Sequence, residues 1–184
     1  MPRRYDPGRR QRIIDAALRV VGEKGIAGLS HRSVAAEADV PLGSTTYHFA
    51  TLDDLLVAAL EQASEGFGAA LDASGALAEG GGDLAAGLAR ALGEWLGGDR
   101  AGAELEYELY LAALRRPALR PVAERWTRET ARRLTTRTDP TTARALLALM
   151  DGICLQVLLT GGSYDEAHTR TALSRLILRG APGT

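Results

Sequence analysis

Apolar side chains recur every three or four residues along most of the chain, which is the spacing of one face of an α-helix. Strict alternation of apolar and polar residues, the sign of a half-buried strand, does not occur. Clusters of glycine, proline and small polar residues interrupt the helical pattern. The pattern predicts an all-α protein of about nine helices. They are expected near residues 9–24, 31–38, 41–49, 51–68, 83–96, 102–114, 118–136, 141–159 and 164–179.

Residues 30–55 carry the clearest local pattern, in which a short helix, a tight break and a second short helix follow one another. Ser30 is suited to cap the first of these helices, because its hydroxyl can accept a backbone N–H bond. Asp39 stands where the chain must turn, and Asp tolerates a positive φ. Pro41 suits the first position of the next helix. This order predicts a helix-turn-helix.

The second helix of this motif has one apolar face and one polar face. Thr45 and Phe49, four residues apart, lie on the side expected to be buried. Hydroxyls, a phenol and an imidazole occupy the rest of its circumference, and such groups can contact phosphates and base edges. They belong to Ser44, Thr46, Tyr47 and His48.

Charge is divided unevenly along the chain. Residues 1–50 hold eight Lys or Arg and five Asp or Glu, a net of +3, whereas the other 134 residues hold fourteen and eighteen, a net of −4. Arginines at positions 3, 4, 9, 10 and 12 form a cluster that suits a polyanion. The alternative is that these arginines only solvate a disordered terminus.

The first fifty-five residues resemble the DNA-binding domain of the TetR (tetracycline-repressor-like) family of transcriptional regulators. The resemblance rests on the ordered residues Gly43, Ser44, Tyr47, His48 and Phe49. Three positions depart from the usual family pattern. Asp39 stands in place of Gly, Leu52 in place of a phosphate-binding Lys, and Thr46 in place of a common Tyr.

The resemblance implies a three-helix DNA-binding domain over residues 1–50 and a helical ligand-binding and dimerisation domain over residues 51–184. It implies contact with double-stranded operator DNA through the N-terminal arginine cluster, here called the basic arm, and through the starts of the helices predicted at 31–38 and 51–68. It also implies contact through the second helix of the helix-turn-helix, here called the reading helix. The residues expected at that contact are Arg3, Arg4, Arg9, Ser30, His31, Arg32, Leu42, Gly43, Ser44, Thr46, Tyr47, His48 and Thr51.

The predicted helix over residues 104–114 has apolar side chains on two opposite sides, which requires cover from two directions. Such a central helix is where a ligand cavity would form, and tyrosines would give it an apolar wall with a polar tip. Ordinary core packing is the alternative for every residue involved. Glu104 and Glu108 either counter a cationic ligand or face solvent. The candidates for an apolar or amphipathic effector are Trp95, Tyr107, Tyr110, Leu111, Trp126, Met150 and Cys154.

The helix predicted over residues 141–159 is apolar nearly all round from Ala145, so a second chain is expected to cover part of it. Two such helices from each of two chains would form a four-helix bundle. The resemblance implies the same symmetric homodimer, which fits a palindromic DNA site. The predicted interface comprises Leu147, Leu155, Leu158, Leu173, Leu176 and Ile177.

Other function classes lack support in the sequence. The three histidines lie far apart without Cys or carboxylate at metal-ligand spacing, and no catalytic signature occurs, so we expect no metal, cofactor or catalytic residue. The absence of a long uninterrupted apolar run predicts a cytoplasmic protein without membrane contact. We therefore interpret the chain as a ligand-responsive DNA-binding regulator that acts as a repressor. The alternatives are a constitutive architectural DNA-binding protein and an all-α enzyme.

Overall fold

The computed structural model describes residues 6–78 and 80–180, apart from the side chains of residues 179 and 180. Every regular element within these ranges is helical, which confirms the predicted all-α fold with an N-terminal helix-turn-helix. The predicted contacts of Arg3 and Arg4 lie outside the described residues.

Ten α-helices and two short 3-10 turns follow one another in the described part of the chain. They are α1 (Arg9–Lys24), a turn (Ile26–Gly28), α2 (His31–Glu37), α3 (Leu42–His48), α4 (Leu52–Ala63), α5 (Glu65–Ala73), α6 (Leu84–Gly98), α7 (Arg100–Ala112), a turn (Pro117–Leu119), α8 (Arg120–Leu134), α9 (Pro140–Thr160) and α10 (Glu166–Gly180). The one helix predicted over 51–68 is divided at Ser64 into α4 and α5, which accounts for the difference from about nine.

The helix ends follow the capping chemistry expected from the sequence. α1 stops at Gly25, whose φ is +69° and whose N–H donates to the carbonyl of Val21 at 2.7 Å. At α2, the Ser30 hydroxyl accepts the N–H of Ser33 at 3.0 Å, and the Ser33 hydroxyl accepts the N–H of Ser30 at 2.9 Å. Asp39 takes the predicted positive φ, 50°. Pro41 precedes α3 instead of starting it, because its ψ is extended.

The described chain divides into two compact units. The head unit comprises residues 6–63 and 105–123, and the body unit comprises residues 64–78, 80–104 and 124–180. The head unit is therefore discontinuous, because a hairpin made of the end of α7 and the start of α8 completes it. This hairpin contributes Leu109, Ala113, Leu119 and Val122 to the core that α1 and α4 form. The predicted functional boundary at residue 50 remains a prediction.

In the body unit, α6 packs against α10 and, at Gly93, against Tyr164, which lies just before α10. A Cβ at Gly93 would lie 2.9 Å from Cε1 of Tyr164, so a glycine is what admits the ring. The Tyr164 hydroxyl donates to the carbonyl of Ala89 at 2.6 Å. Asp83 caps the start of α6 and pairs with Arg170 of α10 at 2.7 Å. Helix α6 is thus joined to α10 by an ion pair and to the residue Tyr164 before α10 by a ring packed on a glycine.

The glycine-rich connection between α5 and α6 is held by one guanidinium. Arg137 donates to the carbonyls of Ala76 at 2.7 Å, Ala78 at 3.2 Å and Gly82 at 2.9 Å, and also to that of Gly81. The planar donor fork of arginine suits such a cluster of carbonyls. A connection that the sequence predicts as a loop is therefore fixed by a side chain distant in sequence.

Helix α9 is both long and strongly apolar. Within residues 6–78 and 80–180 it alone has the length and hydropathy of a membrane span, with a mean hydropathy of 1.6. Leu146, Met150 and Cys154 are buried along it, and α9 packs against α6 and α10 in the body unit. The central helix of a soluble domain has these properties as well.

Candidate functional site

Helix α3 is anchored by the two residues predicted for its buried face. Thr45 is completely buried, and its hydroxyl donates to the carbonyl of Leu42 at 2.8 Å. Phe49, directly after the helix, is buried in the core of the head unit. α3 also packs against α2 and α1. These contacts fix the direction in which the remaining side chains of α3 point.

The opposite face of α3 is open to solvent. Tyr47 is 84% exposed, and its ring lies edge-on to that of His48 with centroids 5.1 Å apart. Leu42, Gly43 and Thr46 are also exposed, and a Cβ added at Gly43 would meet no atom within 4 Å. An exposed phenol is available to contact phosphate oxygens.

The predicted contacts outside α3 differ in their availability. Arg32, in the first turn of α2, is exposed. Ser30 and Thr51 use their hydroxyls to cap α2 and α4, and Asp54 completes the predicted box by accepting the N–H of Thr51 at 2.9 Å. In the described part of the chain, the buried Nδ1 of His31 has no hydrogen-bond partner. Structural capping therefore accounts for both hydroxyls, whereas Arg32 is available to a ligand.

The arginine cluster reaches the end of α3 through Arg10, which belongs to the predicted polyanion-binding cluster but not to the predicted DNA contacts. The guanidinium of Arg10 lies over the Phe49 ring, 5.1 Å from its centroid. Arg12 pairs with Asp6 at 2.7 Å, and this hydrogen bond lowers the pKa of Asp6 from its usual value. Arg9 is only partly exposed. Because the geometry depends on a contact between α1 and the end of α3, spacing alone did not single out Arg10.

The predicted effector residues fall into two groups. In the head unit, Tyr107 is buried, and its ring meets that of Tyr110 edge-on with centroids 6.4 Å apart. Leu111, next along α7, is exposed. In the body unit, the ring centroids of Trp95 and Phe67 lie 5.4 Å apart. Trp126 is half-buried, and Met150 and Cys154 are core residues. Their joint role as a ligand site remains a prediction.

Three carboxylates on α7 have three different surroundings. Glu104 is exposed and pairs with Arg100 at 3.0 Å. Glu108 accepts the backbone N–H of Ile26 at 2.9 Å. Glu106, which the sequence analysis did not consider, is only 6% exposed. It lies on the same side of α7 as the buried Ala103 and Ala113 and the half-buried Tyr110, a spacing that could have identified it.

The predicted dimer interface requires a correction at two positions. Leu147 and Leu173 are buried within the body unit, because the inner sides of α9 and α10 pack against each other, so both belong to the core of the subunit. The other four predicted residues, Leu155, Leu158, Leu176 and Ile177, are half-buried. Leu159 and Leu178, which were not predicted, are 79% and 76% exposed.

Two family profiles match the sequence. Residues 13–59 match the profile described as bacterial regulatory proteins, tetR family. Residues 79–179 match the one described as tetracyclin repressor-like, C-terminal domain.

Solved structures of similar sequence cover almost the whole chain. The multidrug binding protein EbrR in complex with imidazole is 70% identical, with a TM-score of 0.91, over 97% of this chain and 99% of that one. Its ethidium complex is 72% identical, with a TM-score of 0.87, over 94% and 100%. EbrR has also been solved with proflavin and with malachite green. A member of the TetR family from Streptomyces coelicolor A3 is 72% identical, with a TM-score of 0.86, over 93% and 99%.

A curated relative matches about one third of the chain. The HTH-type transcriptional regulator PksA of Bacillus subtilis (strain 168) is 39% identical over 66 residues, which are 35% of this chain. The match spans 32% of the length of PksA.

Proposed function

Because the chain belongs to the TetR family of ligand-responsive DNA-binding repressors, we propose that two copies of it hold a palindromic operator and release it when a cationic aromatic compound binds. The observation that carries the effector class is the identity of 70–72% with EbrR along nearly the full chain. Within the predicted class of apolar or amphipathic effectors, we therefore expect planar or propeller-shaped aromatic cations.

The exposed face of α3 supports a role as the reading helix. Its buried residues fix it to the head unit, while Tyr47 and Thr46 are exposed and Ser44 and His48 are half-buried. In a symmetric dimer, two such helices would enter successive major grooves about 34 Å apart. Tyr47, His48 and the basic arm would contact the backbone, and Arg32 and Ser44 would contact base edges.

Mutation of the reading surface tests this division of labour. The probe is a duplex enriched from random sequence by the wild-type protein, compared with a scrambled duplex in fluorescence anisotropy. Arg32→Ala and Ser44→Ala should each cost about 1 to 3 kcal/mol on the enriched duplex alone. Tyr47→Ala should weaken binding to both duplexes alike.

Arg90→Ala serves as the matched control, because Arg90 is an exposed arginine of α6 in the body unit. It should leave both affinities unchanged. Affinities of the Arg32 and Tyr47 variants equal to that of the Arg90 variant would contradict the assignment of α3 and α2 to DNA reading.

The surroundings of α7 support a cationic ligand. Ethidium, protonated proflavin and malachite green are delocalised aromatic cations. Tyr107 and Tyr110 offer faces that attract such cations. Glu106 supplies a buried carboxyl group one turn from Tyr110, and a carboxylate in a low-dielectric environment attracts a cation more strongly than one in water. We therefore propose Glu106 as the main electrostatic contact of the effector.

Titration of the purified protein with ethidium, followed by dye fluorescence in the absence of DNA, tests this contact. Glu106→Gln should weaken ethidium binding by about tenfold, the scale of a lost interaction with a charged group. Glu104→Gln is the control, because Glu104 is solvent-exposed on the same helix. Equal ethidium affinity in the Glu106 and Glu104 variants would remove Glu106 from the site.

The exposed and half-buried leucines of α9 and α10 support a dimer through these helices. Leu155, Leu158, Leu176 and Ile177 remain in the proposed interface, and we add Leu159 and Leu178. The family and fold are those of transcriptional regulators, and we propose that the protein catalyses no reaction. A cytoplasmic location follows from its DNA target.

A further inference from the structure

We propose that Glu108 couples the effector site to the DNA-binding surface by clasping the turn between α1 and α2 in the DNA-binding conformation. This inference rests on the proposed function, since it concerns how effector binding releases DNA. Glu108 is a positioning residue in this proposal, because it contacts neither ligand.

The clasp is a single charge-assisted hydrogen bond. An oxygen of the Glu108 carboxylate accepts the N–H of Ile26 at 2.9 Å, and Ile26 is the first residue of the 3-10 turn after α1. The preceding residue, Gly25, has a φ of +69°, and a Cβ there would lie 3.4 Å from the same oxygen. A carboxylate at the start of a helical turn satisfies an N–H that has no partner within the turn. A distant helix thus caps this turn.

The clasped turn leads directly into the reading surface. Its last residue, Gly28, accepts a hydrogen bond from the Ser33 hydroxyl at 3.0 Å, and Ser33 and Ser30 form the capping box of α2. Arg32 lies between these two serines. The turn and the start of α2 are therefore one hydrogen-bonded assembly. A change in the Glu108 contact would therefore alter the position of the start of α2, where Arg32 lies.

On α7, Glu108 lies directly beside the residues of the proposed effector site. Tyr107 and Glu106 directly precede Glu108 on α7, and Leu109 directly follows it in the core of the head unit. A displacement of α7 by about 1 Å would lengthen the Glu108 hydrogen bond beyond the useful range, because such bonds weaken steeply beyond about 3.2 Å. A small movement of one helix can thus release the turn.

Another polar contact between the hairpin and the rest of the head unit is less suited to this role. Arg116 pairs with Asp53 of α4 at 2.6 Å, and both side chains are more than one third exposed. An exposed ion pair of two mobile side chains contributes little. Glu108 is exposed as well, but its partner is a backbone N–H, whose position is fixed by the chain on both sides.

Thermodynamic linkage gives a signature that a purely structural residue would not produce. If the clasp exists only in the DNA-binding conformer, Glu108→Ala shifts the population toward the effector-binding conformer. Operator affinity then falls by one factor and effector affinity rises by another. The product of these two factors is the fold-change that corresponds to the free energy of the hydrogen bond between Glu108 and Ile26. We expect a product of about tenfold, the scale of a hydrogen bond to a charged group.

The experiment uses the full-length protein, the enriched operator duplex and malachite green, and measures each affinity separately. Glu108→Ala should weaken operator binding and tighten malachite green binding. Glu108→Gln retains an acceptor oxygen and should restore both affinities to within about twofold of wild type. Glu104→Ala, one turn away and ion-paired on the surface, is the matched control and should change neither. If Glu108→Ala does not fold, Glu108→Asp withdraws the oxygen by one bond and should show the same two shifts.

Two outcomes overturn the inference in distinguishable ways. Operator affinity lost in Glu108→Ala without tighter malachite green binding would make Glu108 a structural residue alone. A wild-type protein that binds the duplex but is released by none of the dyes would refute the proposed effector class, and this coupling role with it.

Discussion

Replacing Gly93 by alanine separates the helix propensity of α6 from its packing against Tyr164. In a helix interior, Gly→Ala stabilises by about 1 kcal/mol when the new methyl group is accommodated. At Gly93 the Cβ would stand 2.9 Å from Cε1 of Tyr164, closer than real Cβ contacts come, and 3.1 Å from Cδ1, tighter than nine in ten of them. The ring must therefore move.

The expected magnitude is the sum of three effects. Overpacking a filled contact costs about 1 to 3 kcal/mol. Displacement of the ring also breaks the 2.6 Å bond to the Ala89 carbonyl, whose net value is about 1 kcal/mol. The propensity gain offsets about 1 kcal/mol. Gly93→Ala should therefore lower the free energy of unfolding by about 1 to 3 kcal/mol.

Urea unfolding followed by circular dichroism at one fixed protein concentration measures this change. Gly97→Ala on the same helix is the control, because a Cβ there meets nothing within 4 Å, and it should be neutral or stabilising. The double variant Gly93→Ala, Tyr164→Ala should lose most of the clash, so its cost should be less than the sum of the single changes. Gly93→Ala as stable as Gly97→Ala would refute the reasoning.

Three further predictions follow from the body unit. Leu155→Asp should yield a folded monomer in light scattering, whereas Leu147→Asp, in the subunit core, should unfold the chain; a dimeric Leu155→Asp would contradict the proposed interface. Burial raises the pKa of Tyr164 to about 12, so the fold favours the neutral phenol. The contribution of the neutral phenol to the free energy of unfolding should be complete below about pH 10 and lost by about pH 12. Tyr164→Phe should therefore flatten the decline of this free energy with pH in urea melts. Arg137→Lys should lower stability by about 1 to 2 kcal/mol in thermal melts, because an ammonium cannot serve the same carbonyls, and an unchanged melt would show that the loop holds itself.

The sequence was most informative where local chemistry decides the conformation. The limits of α1, the cap at Ser30 and the positive φ of Asp39 all follow from one residue and its near neighbours, and all are confirmed. The α3 face was predictable for the same reason, since period and side-chain type assign Thr45 and Phe49 to the core.

Features that depend on distant contacts were not predictable in this way. Periodicity marked Leu147 and Leu173 as apolar but could not say whether the same chain or another covers them. Nor could it distinguish Glu106, which the fold buries, from Glu108, which the fold turns toward Ile26. One hydrophobic period fits both a core and an interface, and only the packing of helices separates them.

The discontinuity of the head unit has a consequence for synthesis and folding. A ribosome releases residues 6–63 well before Leu109, Leu119 and Val122, which belong to the same apolar core as α1 and α4. Until residue 123 has been translated, the core that supports α3, the proposed reading helix, therefore remains partly exposed. Contacts of such long sequence separation slow folding. A chain that ends before residue 123 consequently has an incompletely supported head unit. The proposed DNA binding should therefore become possible only once α7, which holds the residues proposed for the effector site, has been made.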